Sequence, residues 1–311
     1  MTNRVNRDLF GLAARDVKKA VFSLPKPWEK KKEGRPAHDP RIVVCLLVLK
    51  ALFNYTYDTA ESNLTKSSDL KRILGMEKLP GHSVLYRGMQ KLSQEYIRRL
   101  NKRLTVRFRR RLGRKVDIAL DSSGFRTKTS SHWFDIRVKR RNSRKDNEKL
   151  HIACDVNLGL IWNYCITDYK AHDSPFLKSL LSVFTVLRYV MGDAAYPSRD
   201  NCKEVAKKGG KPFLMPRKNS SPRPKGSKAW RDMINDFLHF MEYFLGVYHM
   251  RSCVESVFSS LKRRFGNFLR SVKKRVRRRE LALKVLAYNV KQSLYVQTAD
   301  ELGVPLWIPC E

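Results

Sequence analysis

Two aspartates of this chain stand where predicted β-strands end, each beside small side chains. Asp121 closes an apolar run and precedes two serines, and Asp193 lies between a glycine and two alanines. A carboxylate at a strand end with small neighbours leaves room for a ligand to approach. Either aspartate could equally serve an ordinary turn or cap a helix. Other acids compete for the same role: Asp117, Asp135, Asp155, Asp168, Asp173 and Asp200.

A third acid, Glu255, belongs to a helical pattern of chemically distinct side chains. The pattern comprises Tyr248, Arg251, Glu255 and Lys262. At ~100° per residue these four fall within a stripe about 60° wide, next to an apolar face. The apolar face can pack on a sheet while the stripe borders a cleft. The alternative is a plain amphipathic helix with an Arg251–Glu255 pair at its edge.

The elements that would position these residues are strands followed by mixed strands and helices. Alternating and β-branched runs predict strands at 116–121, 133–138, 150–155, 160–167, 187–192 and 212–216. Apolar periodicity and caps predict helices at 174–184, 198–208, 228–245, 250–264 and 276–296. This order favours an α/β fold with a mixed sheet flanked by helices.

The N-terminal third shows helical rather than strand patterns. A proline-rich basic segment at 24–41 is typical of a linker, because prolines resist helix formation and strand pairing. Asp39 as N-cap with Pro40 at the first position predicts a helix through the apolar stretch 42–53. Residues 38–112 are therefore predicted to be a small all-helical unit, either DNA-binding or merely packed helices.

The domain organisation that follows has four parts. We expect an N-terminal segment and linker at 1–37, the helical domain at 38–112, the sheet-containing domain at 113–298 and a C-terminal tail at 299–311.

The chain is strongly basic. Its 311 residues include 64 Lys and Arg against 29 Asp and Glu, which gives a net charge of +35. This excess indicates a polyanionic partner, nucleic acid first, although any single basic run could be a solvated face. The basic residues cluster at 107–115, 137–149 and 262–279.

The composition also argues against several other classes of protein. No apolar run approaches the ~18–20 residues that span a bilayer, so we expect no membrane association. The six cysteines are scattered and form no Cys-x-x-Cys pair. They fit neither a zinc ribbon nor a disulfide framework, which favours a reducing cytoplasm.

The spacing Tyr248-x2-Arg251-x3-Glu255-x6-Lys262 resembles the Tyr-Arg-Glu-Lys (YREK) signature of insertion-sequence DDE transposases. Asp121 in Ala-Leu-Asp-Ser-Ser and Asp193 in Gly-Asp-Ala-Ala-Tyr resemble the first and second catalytic aspartates of that family. The similarity covers roughly residues 34–296.

The resemblance implies a ribonuclease-H-like catalytic domain, preceded by a small helical DNA-binding domain. Asp121, Asp193 and Glu255 would be the catalytic residues and would bind two Mg²⁺ ions, for which Mn²⁺ could substitute. The enzyme would cleave strands at transposon ends and transfer the 3′-hydroxyl into target DNA. Two divalent cations suit such chemistry because they can stabilise both the attacking and the leaving oxygen.

The same resemblance implies how DNA is held. Tyr248, Arg251 and Lys262 would contact phosphates beside the scissile bond, and Arg263 with the run 270–279 would extend the basic track. The partners would be double-stranded DNA at the transposon ends and at the target. A homodimer would join two ends, and the protein would work at the nucleoid in a prokaryotic cytoplasm.

Two other functions stay open at this point. One is a metal-dependent nuclease that uses the same acids on RNA or branched DNA. The other is a catalytically retired DNA-binding regulator derived from a transposase, against which the presence of all three acids argues. The histidines His132, His151 and His172 are expected in loops or at the surface, since no zinc-type cluster is present. The pair His172-Asp173 resembles a recurring pair in the family, without an assigned role.

Overall fold

The computed structural model describes residues 2–29, 38–127 and 147–306, with side chains from residue 9 in the first helix and from residue 148 in the second strand. The predicted strand at 133–138, His132 and most of the basic run 137–149 lie outside the described residues. Contacts divide the chain into two compact units, one of Met1–Val106 with Arg263–Glu311 and one of Arg107–Lys262.

The α-helices, in chain order, are α1 (Thr2–Phe22), α2 (Pro40–Leu52), α3 (Tyr57–Ala60), α4 (Ser68–Leu74), α5 (His82–Lys91), α6 (Gln94–Val106), α7 (Leu177–Leu180), α8 (Arg199–Lys207), α9 (Lys228–His239), α10 (Met241–Tyr248), α11 (Ser252–Phe265) and α12 (Lys274–Leu302). A π-helical turn, Glu61–Thr65, follows α3, and 3-10 turns span Arg109–Leu112, Ser174–Phe176, Leu181–Val183 and His249–Arg251. Among the described residues, no single helix is both long and apolar enough to cross a membrane; the bent pair Pro40–Leu52 and Tyr57–Thr65 meets those limits only when its parts are combined.

The start of α2 follows the sequence prediction. Asp39 is the N-cap, its Oδ1 accepting a hydrogen bond from the Arg41 N–H at 2.9 Å, and Pro40 is the first helical residue. Pro suits this position because its missing N–H would be unpaired there anyway. The apolar stretch that follows is buried from Ile42 to Leu49.

Helix α1 was missed at the sequence level, where residues 1–37 were assigned to a segment and a linker. Its buried residues recur at helical spacing: Ala13, Ala14, Val17, Ala20 and Val21. This i, i+3, i+4, i+7 recurrence is the signal that could have revealed it. The small size of its alanines makes the apolar stripe inconspicuous.

Helix α12 packs against α2, α6 and α1 in the helical unit. A buried hydrogen bond of 2.7 Å joins Asn289 Nδ2 on α12 to Asn101 Oδ1 on α6. The predicted bounds of 38–112 and 113–298 remain a prediction, since grouping by contact places α12 with the N-terminal helices.

Arg279 corrects part of the predicted basic track at 270–279. Its side chain is internal, with 2% of the residue exposed. The guanidinium donates to the backbone carbonyls of Met89 and Gln90 at 3.0 and 2.6 Å. An arginine committed to buried carbonyls stabilises the fold and cannot neutralise a phosphate.

The other unit holds a mixed sheet of five strands within the described residues: β1 (Val116–Arg126), β2 (Asn147–Asp155), β3 (Ile161–Asp168), β4 (Leu187–Gly192) and β5 (Lys211–Leu214). Their order is β3-β2-β1-β4-β5. The first three strands are antiparallel neighbours, and β4 runs parallel to both β1 and β5. The predicted mixed sheet flanked by helices is confirmed.

The predicted helix at 174–184 is wrong in detail. The segment consists of a 3-10 turn, the four-residue helix α7 and a second 3-10 turn. Asn163 Nδ2 on β3 donates to the carbonyls of Ser179 and Leu180 at 2.8 and 3.2 Å. These two hydrogen bonds tie the segment to β3.

Candidate active site

Asp121 and Asp193 are placed side by side by the pairing of two parallel strands. Ala119 of β1 pairs with Met191 of β4. Two residues beyond this pair, Asp121 lies next to Asp193. Neighbouring strands are ~4.8 Å apart. The two acids therefore lie side by side where β4 ends. Asp193 directly follows β4, as predicted, but Asp121 lies within β1 rather than at its end, because β1 continues to Arg126 in its pairing with β2.

Local hydrogen bonds fix both aspartates. Asp121 Oδ1 accepts from the Ser122 N–H at 2.8 Å, and Asp193 Oδ1 accepts from the Ala195 N–H at 3.0 Å. Gly192 has little space for a side chain, because a Cβ there would lie 3.0 Å from a Leu214 methyl carbon and 3.1 Å from a Tyr196 ring carbon. The small neighbours noted in the sequence thus allow the chain to turn tightly beside Asp193.

Helix α11 carries Glu255 past the same edge. The 3-10 turn that precedes the helix contacts both β1 and β4. Cys253 Sγ lies 3.9 Å from Cys154 Sγ on β2, and Lys262 Nζ donates to Ser123 Oγ on β1 at 2.6 Å. The helix is therefore held to the sheet near both of its ends. Its predicted apolar face is buried: Val254, Val257, Phe258, Leu261 and Phe265.

Arg251 lies between two of the acids. Its Nη1 is 3.4 Å from Asp121 Oδ2, and its Nη2 is 2.8 Å from Glu255 Oε1. The Arg251 side chain is only 16% exposed, whereas that of Glu255 is 61% exposed. The guanidinium also lies 5.9 Å from the centre of the Tyr248 ring. One cation thus bridges carboxylates that come from a strand and a helix.

The charges of Asp193 and Glu255 both act on Asp121. Burial raises the pKa of Asp121, and the charges of Asp193 and Glu255 raise it further. The Ser122 N–H and the Arg251 charge lower this pKa, but they do not cancel the increase. Concentrated negative charge of this kind favours binding of a cation.

The predicted site residues are therefore brought together with one exception. Tyr248, Arg251, Glu255 and Lys262 all border the Asp121 edge, although the helix that carries them changes to a 3-10 turn at His249–Arg251. Arg263 follows Lys262 on α11 and is exposed to solvent. The structure gives Arg263 no contact with the acids.

The donor set suits hard divalent cations. Carboxylate oxygens are the ligands that Mg²⁺ and Mn²⁺ prefer. Within the described ranges, no group of three or more His, Cys, Asp or Glu side chains is arranged to hold a metal ion as it stands. Arg251 occupies the space between Asp121 and Glu255, so this arginine would have to move for both acids to bind one ion.

A second polar cluster beside the site corrects the expectation for His151. This histidine is fully buried on β2 rather than in a loop or at the surface. Its Nδ1 lies 3.1 Å from Asp173 Oδ1, which also lies 2.7 Å from Lys149 Nζ. His172 is exposed, as expected. The recurring His172-Asp173 pair was the available signal for this cluster.

Two transposase families match the chain. Residues 112–290 match the transposase DDE domain, and residues 16–91 match a transposase domain, DUF772. The cryo-EM structure of a piggyBac transposase synaptic complex with hairpin DNA is similar with a TM-score of 0.42 and 10% identity, over 97% of this chain and 75% of that chain. A likeness this low supports no conclusion. No curated protein matches. Because the DDE domain covers more than half of the residues, the chain belongs to the insertion-sequence DDE transposases.

Proposed function

We propose that this DNA transposase cleaves strands at the ends of its mobile element and joins the freed 3′-hydroxyl to target DNA. Asp121, Asp193 and Glu255 are its catalytic acids in this proposal. The observation that carries the proposal is the convergence of three acids on one place: Arg251 bridges Asp121 and Glu255, and the charges of Asp193 and Glu255 both act on Asp121.

The three acids would hold two divalent cations, Mg²⁺ or Mn²⁺. When bound, such ions activate the attacking oxygen and stabilise the leaving 3′-oxygen of a phosphodiester. Support comes from the all-carboxylate donor set and from the charges of Asp193 and Glu255, which together with burial raise the pKa of Asp121.

The surrounding residues would hold and orient the DNA strand. Arg251 offers a planar donor pair that fits a phosphate once its carboxylate partners bind cations. Lys262, held by Ser123, would contact a phosphate on the β1 side, and Tyr248 would do so beside Arg251. Exposed Arg263 would extend the basic surface along the DNA.

The partners in this proposal are double-stranded DNA at the element's ends and at the target. Residues 38–112 would read the ends. A homodimer would bring two ends together, since both must be joined to the target. The site of action would be the nucleoid in a prokaryotic cytoplasm.

A cleavage assay tests the proposal. Purified protein is incubated with Mg²⁺ or Mn²⁺ and a duplex that carries the inverted repeats flanking its gene. Asp121→Asn and Asp193→Asn should each slow cleavage by about 10³-fold while DNA binding persists. Asp200→Asn is the matched control, because the Asp200 side chain is 95% exposed and has no part in the proposed site.

Competing substrates separate the transposase from a nuclease that uses the same acids. Cleavage of the repeat-bearing duplex should persist in excess RNA or branched DNA. Preferential cleavage of those competitors would instead favour the nuclease. Binding without any metal-dependent cleavage would favour the retired regulator.

A further inference from the structure

A cleft of ≈ 660 Å³ opens beside the candidate active site. One wall is the far part of β1, from Ser122 to Gly124, directly after Asp121. The loop 169–175 forms another wall, and Arg217 and Ala195 close the side next to Asp193. The small side chains along β1 leave the cleft open, so a bulky group can approach the three acids from this direction.

Lys149 is a fixed cation in the wall of this cleft. The residue pairs with Gly124 across β1 and β2, and its side chain is 17% exposed. Its Nζ lies 2.7 Å from Asp173 Oδ1 and donates to the Ala171 carbonyl at 3.1 Å. An ammonium group has three N–H donors, so one remains available for a ligand.

Asp173 is fixed in turn by His151. The ring of His151 packs 4.7 Å from that of Phe176, and its Nε2 lies 2.8 Å from Thr167 Oγ1. Its Nδ1 faces Asp173 at 3.1 Å. Although burial alone would raise the pKa of Asp173, hydrogen bonds from His151 and Lys149 lower it to about 2. The carboxylate is therefore charged at neutral pH and holds the ammonium in place.

Arg217 supplies a second cation at the opposite wall. Its Nε donates to the Ala194 carbonyl at 3.0 Å, so the guanidinium is tied to the turn that follows Asp193. Lys170 and His172 also line the cleft, and Asp173 is the acid among its lining residues. Since Asp173 is matched by Lys149, the cleft carries a net positive charge.

We propose that this cleft binds a backbone phosphate of the processed DNA strand, within about three nucleotides of the scissile phosphate. Lys149 and Arg217 contact that phosphate, and Asp173 is a positioning residue that orients Lys149. The inference rests on the proposed function, because it needs a DNA strand at Asp121 and Asp193. It explains why a charged pair is built into the wall next to the candidate catalytic acids.

A scan with neutral methylphosphonate linkages tests the subsite. In the repeat-bearing duplex, each of three phosphates on either side of the cleaved bond is replaced in turn, and single-turnover cleavage is measured with the full chain. At one position the replacement should slow the wild type about tenfold but Lys149→Met less than about twofold. Lys178→Met, an exposed lysine outside the cleft, should respond as the wild type does.

Two further variants separate positioning from a merely structural role. Asp173→Asn should lose the tenfold slowing at that single position and should respond as the wild type does at the other five. A variant that was only less stable would show the wild-type response to methylphosphonate at all six phosphates. If Asp173→Asn fails to fold, exposed Arg217→Gln carries the test, since it should lose the same position-specific penalty.

The phosphate subsite is overturned if the effect of the methylphosphonate and the effect of Lys149→Met are independent of each other. If the effects of methylphosphonate and Lys149→Met multiply at every position, no phosphate contacts Lys149. That outcome is distinct from failure of the proposed function, in which the wild type would not cleave the duplex, or Asp121→Asn would cleave it at full rate.

Discussion

At the scale of single residues, Arg251 has two tasks that exclude each other. Without metal it neutralises Asp121 and Glu255, at 3.4 and 2.8 Å. With cations on those acids, the same guanidinium would be free for a phosphate. The exposed side chain of Glu255 and the confined one of Asp121 suggest that the pair with Glu255 opens first, because exposed ion pairs contribute little stability.

Arg251→Lys keeps the positive charge but removes the forked donor pair. We expect single-turnover cleavage to fall about 10-fold to 100-fold, with DNA affinity changed less than about threefold. Arg231→Lys, an exposed arginine on α9, should leave both quantities unchanged. Full cleavage by Arg251→Lys would show that the fork is not used on a phosphate.

The lowered pKa of Asp173 predicts that the stability of the fold depends on pH. Its pKa is lowered to about 2 in the folded protein, so its contribution is fully present above the ordinary value near ~3.9 and is lost as the pH falls towards about 2. Asp173→Asn should lower the free energy of unfolding by about 2 kcal/mol at pH 7 and by about half as much at pH 3.

Urea unfolding of both proteins at the two pH values measures this difference. Asp200→Asn should show none at either pH, because its carboxylate is exposed. A loss of equal size at pH 3 and pH 7 would mean that packing, rather than charge, explains the role of Asp173.

At the scale of elements, sequence patterns predicted the local features of single strands and helices better than the contacts between elements. The Asp39 cap and the strand that begins at Val116 are local signals, and both are confirmed. The predicted end of that strand at Asp121 is wrong, because β1 continues to Arg126. Helix α1 was missed because its stripe is built from alanines. The helix predicted at 174–184 is interrupted by 3-10 turns, and Asn163 on β3 donates to carbonyls of this segment, a contact that no local pattern indicates.

The candidate site shows the same division. Spacing along one helix indicated Arg251, Glu255 and Lys262, and strand ends indicated the aspartates. The contacts of Lys149 with Asp173 join residues 24 positions apart on different elements. No periodicity reports such a contact, so His151 was wrongly assigned to a loop or the surface.

The pairing of α12 with α6 depends on a buried polar contact. Asn289→Ala removes the buried 2.7 Å hydrogen bond from Asn289 Nδ2 to Asn101 Oδ1. We expect the free energy of unfolding to fall by about 1–3 kcal/mol, as measured in urea. Glu301→Ala, exposed near the end of the same helix, should stay within about 0.5 kcal/mol of wild type. Equal stability of the two variants would contradict a structural role for Asn289.

At the scale of the whole molecule, the net charge of +35 determines how the protein meets DNA. Each phosphate neutralised by Lys or Arg releases counterions, so binding weakens steeply with salt. Not every basic residue takes part, since Arg279 is buried on carbonyl oxygens. The exposed members, such as Arg263, should account for the salt dependence.

Affinity for duplex DNA should fall by about 10³-fold or more between 50 and 200 mM salt, as followed by fluorescence anisotropy. Arg263→Ala should reduce the slope of log affinity against log salt by about 1. Arg279→Gln should leave that slope unchanged, as measured on the folded fraction of this variant, because Arg279 is buried on carbonyl oxygens. An unchanged slope in Arg263→Ala would remove this residue from the DNA interface.

The most direct test of the whole account counts bound metal at the three acids. Mn²⁺ is titrated into the protein–DNA complex and followed by electron paramagnetic resonance. We expect two ions per active site in the wild type and in Asp200→Asn. At least one ion should be lost in each variant of the proposed site: Asp121→Asn, Asp193→Asn and Glu255→Gln. Unchanged Mn²⁺ binding in these three variants would contradict the central claim that their carboxylates form one metal site.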